Sequence, residues 1–73
     1  MENILVIECV DNAPLSCFCT KANEHGVRQA EERFVKLIQE NTEFKFDSDE
    51  ERDDLISDGF FEQDNWSVSI CWV

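Results

Sequence analysis

Basic residues are scarce. Six Lys and Arg stand against 17 Asp and Glu, so the 73-residue chain carries a net charge of −11. That weighs against direct binding of nucleic acid or an anionic membrane, since both need a basic footprint. Histidine occurs once and tyrosine not at all, which leaves little for general acid–base work. Cys17 or Cys19 beside His25 would lack a third group to orient the base. Two glycines do not make a phosphate-cradling loop, and no G-x-S-x-G elbow occurs. Long apolar runs are missing too. Ile4-Leu5-Val6-Ile7 is cut by Glu8, and Met1-Glu2-Asn3 has no basic residue. Neither a signal peptide nor a membrane span is expected. These absences predict a cytoplasmic protein that is not an enzyme.

What is there suffices for one small domain, residues 1–73. Hydrophobic residues make up 42% of the chain and aromatics 11%, enough for a core. Strands are predicted at about 3–10, 15–20 and 66–73. The first is rich in Ile, Leu and Val and apolar on both faces, which suits the middle of a sheet. Asp11-Asn12-Ala13-Pro14 is a turn signal, so the first two strands form a hairpin with Pro14 at an edge. In the last strand Trp66, Val68, Ile70 and Trp72 alternate with Ser67, Ser69, Cys71 and Val73. The Trp side is assigned to the core.

Helices are predicted at about 23–41 and 49–58. Val27, Ala30, Phe34, Leu37 and Ile38 form one apolar stripe on the first. Gly26 is expected to weaken its first turn. Ser48-Asp49-Glu50-Glu51 is a capping box that starts the second, and Gly59 suits a left-handed stop. Glu62-Gln63-Asp64-Asn65 reads as a polar turn. Counting directions gives an α+β fold with a three-stranded mixed sheet (ββααβ, strand order 2-1-3). The last strand runs parallel to the first, and two helices cover one face.

The charge is concentrated. Residues 40–64 hold eleven acids and two bases, a net −9, against −2 for the remainder. The bland reading is a solvated surface that keeps the protein soluble. The sharper one is a surface for a basic partner, built from Asp47, Asp49, Glu50, Glu51, Asp53, Asp54 and Asp58. Carboxylates along a helix imitate the charge spacing of a nucleic acid, and such a mimic would block the basic groove of a nucleic-acid enzyme. A calcium loop is disfavoured. Counted from Asp47, its sixth and twelfth positions hold Arg52 and Asp58 where Gly and Glu are needed.

Cys9, Cys17, Cys19 and Cys71 are expected to be reduced and to serve as small buried residues of the core. Their spacing lacks the tight knuckles of zinc sites, so no cofactor or metal is expected. By size and charge the chain is similar in kind to virus-encoded inhibitors of host nucleic-acid enzymes, such as anti-restriction or anti-CRISPR proteins. That likeness covers no motif. It implies a non-enzymatic inhibitor or regulator that presents its acids to a basic host protein. Two alternatives come from other classes: a zinc-binding module using the four cysteines, and a homodimeric structural protein. A dimer would join through an edge strand or through the sheet face carrying Leu5, Ile7, Cys9 and Val73.

Overall fold

The computed structural model describes residues 2–73. Its elements are β1 (Asn3–Val10), β2 (Ala13–Lys21), α1 (Glu24–Asn41), α2 (Asp49–Asp58), β3 (Phe60–Gln63) and β4 (Trp66–Trp72). The class is α+β, but the sheet differs from the sequence expectation. It has four strands in the order β2-β1-β4-β3, and every neighbouring pair is antiparallel. The last strand therefore runs opposite to the first.

The difference has one cause. Residues 60–63 form a short edge strand instead of leading into a polar turn, and only Asp64-Asn65 makes the turn. That extra strand reverses the chain once more before β4. Both hairpins turn on the same dipeptide. Asp11 and Asn12 have φ of 54° and 64°, and Asp64 has φ of 55°. Asn and Asp tolerate this left-handed region better than other side chains, and tight hairpin turns demand it. The tips lie together: Asn65 Nδ2 donates to Asp11 Oδ1 at 3.0 Å, and the Asp11 N–H donates to the Asn65 carbonyl at 2.8 Å. β2 also begins earlier than expected, at Ala13. The register shift after Glu8 lets Cys9 pair with Pro14, leaving Leu15 as the extra residue of a bulge.

α1 starts where Asn23 caps it, its side chain accepting from the Gly26 N–H at 2.8 Å. Its buried face is Gly26, Ala30, Phe34, Val35 and Ile38. This face packs on Ile4 and Val6 of β1 and on Trp66 and Val68 of β4, forming the core. The loop after α1 alternates. Phe44 and Phe46 pack against the core, while Glu43 and Lys45 stay exposed. Phe44 meets Phe46 and Phe61 edge-on at 5.0 and 5.2 Å between centroids, and Phe61 meets Trp66 at 6.3 Å. This aromatic row carries the core outward to the β3 edge. Trp72 departs from its assignment, because it ends β4 half-exposed.

One charged group lies within the inward face. Glu8 alternates with Ile4, Val6 and Val10 and is buried. Its two oxygens accept from Ser16 Oγ at 2.9 Å and from Trp66 Nε1 at 2.7 Å. The carboxylate thus ties β1 to β2 on one side and to β4 on the other. Glu8→Ala leaves the buried Trp66 N–H without an acceptor. A hydrogen bond to a charged group contributes about 1.5–3 kcal/mol, so this variant should lose about 2 kcal/mol in urea unfolding. Glu8→Gln keeps an acceptor and should lose roughly half as much. Equal losses in the two variants would show that the charge matters here and that the shape and a neutral acceptor do not.

Candidate interaction surface

α2 opens at Ser48, whose Oγ accepts from the Glu51 N–H at 3.2 Å. Three acids in the first turn, Asp49, Glu50 and Glu51, sit where the helix dipole favours negative charge. The helix stops at Gly59, which takes the left-handed conformation at φ 71°. Between these caps nothing on α2 is fully buried. Glu51, Arg52, Leu55 and Ile56 are half-buried and form the side turned to the protein. Asp49, Glu50, Asp53, Asp54, Ser57 and Asp58 are exposed.

The outward side is therefore acidic along its whole length. At 3.6 residues per turn, Asp49 and Asp53 form one row, and Glu50, Asp54 and Asp58 a second. Successive acids in each row are four residues apart. Like charges at that spacing oppose the helix by about 0.2–0.5 kcal/mol per pair. Little offsets them. Among the described residues the one ion pair is Arg52–Asp53, at 3.8 Å between a half-buried and an exposed side chain, a geometry that contributes little. The last turn carries no base, although Asp58 lies at the negative end of the dipole. Asp47 is exposed in the loop just before α2. Of the seven acids picked out from the sequence, Glu51 alone lies on the half-buried side.

Elsewhere the arrangement offers little chemistry. Glu8 lines a groove of about 260 Å³ with Val6, Phe18, Arg33 and Leu37. Both its oxygens are already engaged, and Arg33 stacks on the Phe18 ring at 4.8 Å. Glu8 is therefore a structural tie. The cysteines are not the core residues expected from the sequence: all four lie on the side of the sheet away from the helices, Cys17 and Cys19 exposed and Cys9 and Cys71 half-buried, and they do not converge. Cys19 and Cys71 are both register partners of Leu5, on opposite sides of it. That puts them two strand spacings, about 9.6 Å, apart, whereas zinc–sulfur bonds are about 2.3 Å. No group of three or more His, Cys, Asp or Glu among the described residues is placed to hold a metal. The zinc module gains no support from this geometry. No described helix is long and apolar enough to cross a membrane. No protein family, curated protein or solved structure matches the chain.

Proposed function

We propose that this protein is a non-enzymatic interaction protein whose acidic α2 surface docks on a basic protein, as an inhibitor or regulator would. The observation that carries this reading is the outward side of α2. It has acids at like-charge spacing, almost no counter-charge and no fully buried residue. Folding gains little from such a helix, so the charge is spent outside the fold.

The magnitude bears on what is imitated. α2 has six acids and one base over ten residues, about 15 Å of helix. That is one net charge per ~3 Å, close to a single nucleic-acid strand at about 3.4 Å and half as dense as a duplex at about 1.7 Å. A groove built for one strand suits α2 better than one built for a duplex.

The test neutralises Asp49, Glu50, Asp53 and Asp54 together, to Asn or Gln. Ser48 and Glu51 stay, so the cap survives. Relief of like-charge pairs opposes the loss of favourable dipole contacts. Stability should therefore remain within about 1 kcal/mol of the parent. Proteins captured from a cell lysate by the parent should be lost by this variant. They should also be released as salt rises, because screening shortens from about 8 Å at physiological ionic strength to about 3 Å at 1 M. A partner held equally well by the neutralised variant and at high salt would assign the charge to solubility alone.

A further inference from the structure

We infer that the uncovered side of the sheet is the interface of a face-to-face dimer of this chain, with the strands of the two sheets crossing steeply. This stands apart from the acidic-surface reading, since α2 lies on the opposite side of the sheet.

The first observation is where charge is missing. In a chain of net charge −11, strand alternation puts one acid, Glu62, and one base, Lys21, on the uncovered side. Leu5 and Ile7 occupy its middle and are half-buried within the chain. The residues around them are small: Cys17, Cys19, Ser69 and Cys71. Phe60, about half exposed, adds an apolar ring on the β3 edge of the same face, so the surface is apolar and nearly neutral, as sheet-on-sheet packing about 10 Å apart requires.

The second observation fixes the occupant. Lys21 lies on the β2 edge, level with Asn3. Glu62 lies on the β3 edge, level with Ser67 and through it with Cys9. The two charges therefore sit at diagonally opposite corners of the face. A twofold axis in the plane of the face that exchanges these corners sets Lys21 of each copy against Glu62 of the other. It does so twice, as an isologous interface must. The same axis turns the strands of one sheet steeply across those of the other, the near-perpendicular class of sheet packing. The face complements itself.

Repulsion between two acidic chains does not prevent this. Each helix layer adds about 10 Å beyond sheets about 10 Å apart. The two α2 surfaces end up roughly 30 Å from each other, several screening lengths at about 8 Å each. The area is modest, roughly half the side chains of a standard interface or about 1,000 Å² in all. A dimer of this size is expected in the micromolar range.

Sedimentation equilibrium of the intact protein over about 1–200 µM tests this. The parent should form dimers. Cys17 is exposed, so Cys17→Glu places a charge on the face without disturbing the core, and it should raise Kd at least tenfold. Lys21→Glu and Glu62→Lys should each raise it several-fold, and the double variant should return it to within about twofold of the parent. Glu62→Lys makes the net charge less negative, so weakening by this variant isolates the local pairing from overall repulsion. A parent that stays monomeric throughout overturns the proposal. So does a dimer indifferent to Cys17→Glu, which would place association elsewhere than on this face. Single charge variants that weaken the dimer without mutual rescue would overturn the crossed geometry.

Discussion

Phe34→Ala should remove about half of the protein's folding stability. Phe34 is fully buried and stands at the middle of the α1 stripe, over β1 and β4. Removing a buried ring costs about 3–5 kcal/mol, partly in lost transfer energy and partly in the cavity left behind. For a chain of this length the whole folding free energy is roughly 4–11 kcal/mol. The loss is thus a large share of the whole, and all of it at the low end of that range. Circular dichroism with urea titration would read it directly. An unchanged midpoint would mean that the ring is not where the two layers meet.

Gly26→Ala should be nearly as damaging, although helix propensity points the other way. In an open helix interior Ala is favoured over Gly by about 1 kcal/mol, and on propensity alone Gly26 weakens the first turn. The structure gives the opposite sign. A Cβ at Gly26 would sit 1.8 Å from the Lys21 carbonyl oxygen, 2.8 Å from its carbon and 3.1 Å from Thr20 Oγ1. The first two atoms belong to backbone and cannot swing away. The β2–α1 connection must move by more than an ångström, which would also pull on the Asn23 cap. A net loss of about 3 kcal/mol is expected, at the top of the range for overpacking. A urea midpoint equal to or above the parent's would show that this connection relaxes freely and that propensity wins.

Local signals in the sequence carried far, and pairing signals did not. Both helices were legible to within a residue: the apolar stripe marked the first, and Ser48 and Gly59 mark the ends of the second by chemistry that needs no tertiary partner. β1 was legible from its composition. β3 was not, since Phe60-Phe61-Glu62-Gln63 is short, half polar and placed directly after a helix cap. It becomes a strand only because β4 offers an edge. The repeated Asp-Asn dipeptide was the available signal: a turn at Asp11-Asn12 argues for another at Asp64-Asn65, with strands on both sides. Glu8 shows the same limit. Its parity matches Ile4, Val6 and Val10, but a carboxylate belongs on a buried face only if donors await it. Ser16 and Trp66 are those donors, and they come from two other strands. The acids of α2 were legible because their number exceeds what one half-buried side can absorb. That Glu51 falls on that side depends on how the helix is rotated, which Leu55 and Ile56 set by packing.

The antiparallel seam between β1 and β4 has a consequence for how fast the molecule assembles. Each hairpin closes over a two-residue turn, an event of about 1–10 µs for such structures. The seam instead joins Ile4 to Trp72 and Val10 to Trp66, residues separated by most of the chain. Closing so long a loop costs roughly 2–3 kcal/mol more entropy than closing a hairpin. No seam contact repays this until both hairpins exist and meet. The rate-limiting step is then the docking of two preformed hairpins, with α1 laid across the join. That places folding in the millisecond-to-second class of chains dominated by distant contacts, slow for a molecule of this size.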